Sequence, residues 1–518
     1  MDEFIERKII IGMVTSTEYL KQVRGIYQNR LLNSTMAKRI ATWCIEYFDK
    51  YQEAPNKNLE GIYFSKMGSL PKDMAEEIEQ EILPSLSEES TKTETDLEYL
   101  INQTKFHFAS KHLEIHTDKI TDLLKNGDLD AATALARSFK GITQEEDLTL
   151  NFASQNALRA VEKAFEEAST PLIYYPKALG KFLNRQLVRG GFVAFLASEK
   201  RGKSYLLMDM AIRGVRQKNK VAFFQAGDMT EGQQIRRFCI HLAKASDREE
   251  YCGKMLEPVP DCMYNQLNLC EKKDRESNFG VFEDKFNEKD IRYSVTYSDL
   301  EEALKDNPDY VPCRNCSDFR NKKVGVPWVQ WVDVKEPLDA KQAKRVFRRY
   351  FVKTNRQIMM SSHPNGTLSI SKIKSLLNEW EMAHDFIPDI IIVDYADLLV
   401  SEVKEFRHSQ NDIWKGLRNL SQEERGGKQA LVVTVTQADA DSYDRNLLRL
   451  KNFSEDKRKY GHTTGFFGMN QDPDGREKKI GLMRLNELMI REGECDTNNV
   501  VYVLQNLKRG QPVLGSFL

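Results

Sequence analysis

The chain has 518 residues, 30% of them charged, and a formal net charge of −1. That length exceeds what one hydrophobic core supports and predicts two or three domains. The near balance of charge excludes a uniformly basic nucleic-acid binder, so any such contact must use local basic patches. Residues Met1–Lys8 are charged and do not resemble a secretory signal. No apolar run approaches the roughly 18 residues of a membrane span. The expectation is a cytoplasmic protein without membrane association.

Residues 1–145 predict an all-α N-terminal domain. Ile5, Ile9, Met13 and Leu20, then Ile40, Trp43, Cys44, Ile45 and Phe48, recur at helical spacing. A long helical pattern from Asp96 to about Leu124 turns at Asn126-Gly127 into DLDAATALARSF, a helical hairpin. Residues 146–171 read as a polar linker holding one amphipathic helix, Ser154 to Ala168.

An α/β domain is expected over 172–518. Its strand candidates are Phe192–Ala197, Val221–Gln225, Ile390–Val393, Leu431–Thr436 and Val500–Leu504. The first four alternate with helical stretches or a large insertion, which indicates parallel βαβ units with binding loops at the strands' carboxyl ends. Residues 246–334 break this rhythm with cysteines, prolines, tyrosines and charges, and read as an inserted segment.

The first strand runs into Ala197-Ser198-Glu199-Lys200-Arg201-Gly202-Lys203-Ser204, a phosphate-loop pattern with alanine at the usual first glycine. Gly202 lets backbone N–H groups close around phosphate oxygens, Lys203 supplies a point charge, and the Ser204 hydroxyl can ligate Mg²⁺. A surface Gly-Lys-Ser turn is the plainer alternative. Past the second strand, Asp228 is placed to polarise an attacking water, or merely to help cap the helix that Thr230 begins. PDIIIVDYADLL ends a buried strand in Asp394, the arrangement that holds Mg²⁺ through water. ALVVTVTQADADS ends another in Gln437, a candidate γ-phosphate sensor or a plain capped strand end. The loop beyond carries Arg445, Arg449, Lys451, Lys457, Arg458 and Lys459, suited to a nucleic-acid backbone or to plain solvation. Near the C-terminus, Lys508-Arg509-Gly510 reads as a hairpin tip from which a cation could reach a neighbouring subunit's phosphate, or as a purely structural hairpin.

In this order the elements resemble the DnaB-type replicative DNA helicases, particularly bacteriophage members. LASEKRGKS is similar to that family's Walker A, where Ala is a known variant, and IIIVDYADLL to its Walker B. VAFFQAGDM resembles the segment with the catalytic carboxylate, here Asp228 in place of Glu. VTVTQADAD resembles the strand ending in glutamine, and LKRGQPVLG the terminal hairpin, with Arg509 or Lys508 as the trans-acting cation. The resemblance covers about 172–245 and 335–518. It implies a RecA-like P-loop ATPase fold, ATP and Mg²⁺ as cofactors, and a homo-oligomeric ring, a hexamer in the family. It further implies action on single-stranded and forked DNA, with primase and helicase loader as separate chains. Another RecA-like DNA-dependent ATPase, such as a recombinase, or a non-hydrolysing zinc-bearing replisome scaffold are the alternatives.

The eight cysteines argue for thiols or metal ligands over disulfides. Cys313 and Cys316 have knuckle spacing, and with Cys262 and Cys270 (Cys252 the substitute) they would make a structural Zn²⁺ site. The run KQAKRVFRRYFVKTNR (Lys341–Arg356) reads equally as a DNA contact or a solvated amphipathic helix.

Overall fold

A computed structural model describes residues 2–69, 97–137, 170–315, 323–401, 406–439, 445–452 and 459–518, with short stretches between them. The chain divides into two compact units, Met1–Ala160 and Val161–Leu518. In the first, the helices Asp2–Thr15, Thr17–Val23, Thr35–Tyr51, Asn58–Lys66, Leu97–Lys125 and Leu129–Arg137 are described. Ile9, Met13, Leu20, Ile40, Trp43, Cys44 and Phe48 lie in its core with Leu100 and Phe108, as helical spacing requires. Ser34 caps the third helix by accepting from the Ala37 N–H at 3.2 Å. The linker helix expected over 154–168 falls largely outside the described residues.

Among its described residues the second unit has thirteen strands. These are β1 (Phe192–Ala197), β2 (Val221–Gln225), β3 (Gly253–Cys262), β4 (Gly325–Val334), β5 (Ile358–Ser362), β6 (Ile390–Asp394), β7 (Glu424–Arg425), β8 (Lys428–Gln429), β9 (Leu431–Gln437), β10 (Gly465–Asn470), β11 (Leu482–Ile490), β12 (Val500–Asn506) and β13 (Gln511–Phe517). Nine form one sheet in the order β13-β12-β11-β10-β1-β9-β6-β2-β5. The block from β10 to β5 is parallel, and β11, β12 and β13 extend it antiparallel.

Both faces of the parallel block are covered, which is why its strands read as continuous apolar runs. Val193, Phe195 and Ala197 pack with the helices Lys203–Arg216 and Lys177–Leu183. Phe192, Ala194 and Leu196 pack on the other face with Ile370–His384 and Phe406–Gln422. Three sheet strands escaped the sequence reading. β5 is half-buried at the sheet edge, β10 is broken by Gly465 and Gly468, and β11 carries the buried polar residues Arg484, Asn486 and Glu487.

Within 246–334, β3 and β4 pair antiparallel along their whole length. This ribbon shares an apolar core with the C-terminal strands, where Val259 and Trp328 pack with Leu482, Tyr502, Leu504 and Phe517. The approach is close enough that a Cβ at Gly325 would lie 2.4 Å from Phe517 Cβ. Arg292 ties the same region together by donating to the carbonyls of Lys323 and Gly325 at 2.7 Å and of Leu518 at 2.9 Å.

Candidate nucleotide site

The carboxyl ends of β1, β2, β6 and β9 converge on the phosphate loop. The loop turns through left-handed backbone at Lys200 (φ 58°) and Gly202 (φ 88°), the latter a conformation glycine adopts without a Cβ penalty. Lys203 then opens a 14-residue helix, so the loop's amides and the positive end of the helix face one point. The Lys203 Nζ donates to the Ala197 carbonyl at 3.0 Å and lies 5.8 Å from the centre of the Tyr395 ring. Burial lowers its pKa from the ordinary lysine value, opposed by Asp397 first and then Asp394, Glu199 and Asp228.

Asp394 ends β6 and is fully buried. Its Oδ1 accepts from Ser204 Oγ at 3.2 Å, while its Oδ2 has no partner among the described residues. Burial pushes its carboxyl up to about 6; the Ser204 hydrogen bond lowers it and the Asp228 charge raises it. A desolvated carboxylate with one unmatched oxygen, beside a helix-start serine, fits a hard divalent cation. Ser204 and Asp394 would hold Mg²⁺, and Lys203 with the loop amides the phosphates.

Asp228 is exposed just past β2. It does not form the helix cap. Thr230 and Gln233 do so through a reciprocal pair, Gln233 N–H to Thr230 Oγ1 at 3.3 Å and Thr230 N–H to Gln233 Oε1 at 3.0 Å. Gln437 is the register partner of Ala197, and its Nε2 donates to Glu199 Oε1 at 3.0 Å, joining β9 to the phosphate loop.

Asp397 was not singled out from the sequence, although it stands three residues past Asp394. Its carboxylate accepts from Thr436 Oγ1 and from the Gln437 N–H, each at 2.8 Å, and faces Lys459 Nζ at 3.4 Å. Lys459 is therefore corrected as a DNA-contact candidate. It is fully buried, turned inward to this carboxylate. Arg445 and Lys451 are exposed, Arg449 is tied to Thr497 Oγ1 and to Asn498 Oδ1, and Lys457 and Arg458 lie outside the described residues.

The terminal hairpin is held within its own chain. Arg509 Nη1 donates to Glu257 Oε2 at 2.5 Å and its Nε to the Lys244 carbonyl at 2.8 Å. Lys508 is exposed, its Nζ 5.5 Å from the centre of the Tyr251 ring.

The zinc site expected from Cys262, Cys270, Cys313 and Cys316 is not supported. Cys316 lies outside the described residues. The other three, with or without Cys252, form no metal-holding group, and none exists among the described residues. The segment is organised instead around the buried Asp261. Its Oδ1 accepts from the backbone N–H groups of Cys262 and Cys313, and its Oδ2 from the Tyr310 hydroxyl, each at 2.7 Å. The cysteines thus contribute backbone donors to a carboxylate.

The fold and site define a class: an α/β protein whose Ala197–Ser204 loop touches the strand-end Asp394, through Ser204, on a mostly parallel sheet. No protein-family model matches the chain, and no curated protein does. Among solved structures, the fold is similar to that described as "The Structure Of A DnaB-Like Replicative Helicase And Its Interactions With Primase". The match has a TM-score of 0.54 and 12% identity, over 98% of each chain. A second solved structure, an isolated ATPase domain, has a TM-score of 0.42 and 13% identity, over 70% of this chain and 99% of that one. Among the described residues no helix is long and apolar enough to cross a membrane.

Proposed function

We propose that the chain is a DnaB-type replicative DNA helicase: an ATP-driven ring oligomer, hexameric as in the family it resembles, that translocates on single-stranded DNA and parts forked duplexes. The observation that carries this reading is the contact between Ser204 and the buried Asp394 beside Lys203, on a fold shared with a DnaB-like helicase over nearly the whole chain. ATP is the substrate. Bound Mg²⁺ would neutralise charge developing on the β- and γ-phosphates. Lys203 supplies the cation to the transferring phosphoryl group, and the loop amides orient it. Asp228, exposed and in the electrostatic field of both Lys203 and Asp394, is assigned to orient the attacking water. Gln437 relays the state of the phosphate loop, through Glu199, to the loop bearing Arg445 and Lys451. Arg509 or Lys508 would act on the site of a neighbouring subunit, and primase and loader would be separate chains.

Unwinding of a forked duplex with ATP, run beside Lys203→Ala, tests the reading. The wild-type chain should release the labelled strand and the variant should not. ATP turnover that DNA does not stimulate, without strand release, would refute the motor.

A further inference from the structure

The run Lys341–Arg356 carries seven cationic side chains and no carboxylate, in a chain whose charges otherwise nearly cancel. It forms the helix Ala340–Phe347, capped by Asp339, whose Oδ1 accepts from the Gln342 N–H at 2.6 Å. A π-turn over Arg348–Val352 continues it. One face is anchored. The Tyr350 hydroxyl donates to the Ile212 carbonyl at 3.1 Å and accepts from Arg216 Nε at 3.0 Å, and the Phe351 ring packs edge-on to Tyr350 at 5.0 Å. With that face fixed, Lys341, Lys344, Arg345, Arg348, Arg349 and Lys353 are all exposed and make no ion pair with the described residues. At the C-terminal end of the run a cleft of about 470 Å³ is lined by Arg216, Lys218, Lys220 and Arg356.

This cleft lies where β2 and β5 begin, whereas the phosphate loop lies where β1 ends. In a parallel sheet these are opposite rims, so the cations that line the cleft stand away from the nucleotide. Like charges packed along one helix repel, and a covering polyanion relieves that repulsion. From Lys341 to Lys353 the helix rises about 18 Å at 1.5 Å per residue. That length spans several consecutive phosphates of a nucleic-acid strand. Arginine forks grip phosphate oxygens bidentately, and Phe347, 36% exposed, offers a ring on which a base can stack. A regular phosphate array with bases fits this combination better than an acidic protein face does.

We infer that Lys341–Arg356, with the cleft at its C-terminal end, is a second nucleic-acid surface: a track for a phosphodiester backbone that leads to a cleft on the rim of the sheet remote from the nucleotide. It goes beyond the proposed motor, since it requires no ATP turnover. The test is photo-cross-linking of the full chain to an oligonucleotide carrying 5-iododeoxyuridine, with peptide mapping, beside two triple variants. Cross-links should map to 341–356. Arg345→Ala/Arg348→Ala/Arg349→Ala should lose them and flatten the salt dependence of binding (log affinity against log salt) by about 2, at roughly 0.7 per phosphate contact. Basal ATP turnover should not change. The corresponding Arg→Lys triple, which keeps the charges, should retain the cross-links. Three results would overturn the inference: cross-links confined to other segments, a wild-type salt slope in the alanine triple, or complete displacement of the oligonucleotide by polyglutamate at equal charge.

Discussion

Asp397→Asn is the sharpest test of how the site is built. The carboxylate holds Thr436 and the Gln437 backbone at 2.8 Å and faces the fully buried Lys459 at 3.4 Å. Asparagine keeps one acceptor oxygen but removes the charge opposite a buried ammonium. Breaking a buried pair from one side costs about 3–5 kcal/mol. The Asp397 side chain is 18% exposed, which places the expected loss near the lower end, about 3 kcal/mol. Lys459→Met removes the other charge, and the double variant should recover most of the loss. A double-mutant cycle by urea denaturation, followed through the buried Trp414, should give a coupling of about 2 kcal/mol. There is a second readout. Asp397 is the first of the carboxylates that hold up the pKa of Lys203 against burial. Without it the Lys203 pKa falls further, so nucleotide affinity, which needs the ammonium, should decline from a lower pH than in the wild type. A coupling below about 0.5 kcal/mol, or an unmoved alkaline limb of binding, would refute this account.

Asp228→Asn should keep nucleotide binding in equilibrium titration and lose about 10²–10⁴ in hydrolysis; normal turnover would place the water-orienting group elsewhere. Burial holds the Asp261 carboxyl up at about 6, with Tyr310 bonded to it and Arg275 near that tyrosine. Since its folded pKa lies above the ordinary value, its stability contribution is full below about pH 4 and is lost as pH rises through about 6. The change is about 3 kcal/mol at 1.36 per unit. Asp261→Asn should flatten that dependence in denaturation curves taken from pH 4 to 7.5. With Arg509 acting in trans, Arg509→Ala should cost about 10³ in turnover. Mixing it with Lys203→Ala should partly restore activity at junctions whose two faces are intact; no rescue would argue for the in-chain pairing with Glu257 as its whole role.

That the Ala197–Ser204 loop, Asp394 and Gln437 stand at strand ends was legible in the sequence, because such placement is local. A buried strand must be apolar throughout, and the groups at its end follow within a few residues. The helical N-terminal unit was legible for a similar reason, since its spacing alone selects a buried face. What the sequence could not disclose depends on contacts between distant segments. Lys459 counted as one more cation in a basic loop until packing turned it onto Asp397, 62 residues earlier. The cysteines of the insertion suggested thiolate ligands, but the fold spends two of their backbone N–H groups on Asp261. Arg509 read as a free finger, and only tertiary structure brought Glu257 to it across 252 residues. Periodicity and strand-end motifs are properties of neighbouring residues, whereas the partner of a charged side chain is chosen by whichever distant segment the sheet order brings beside it.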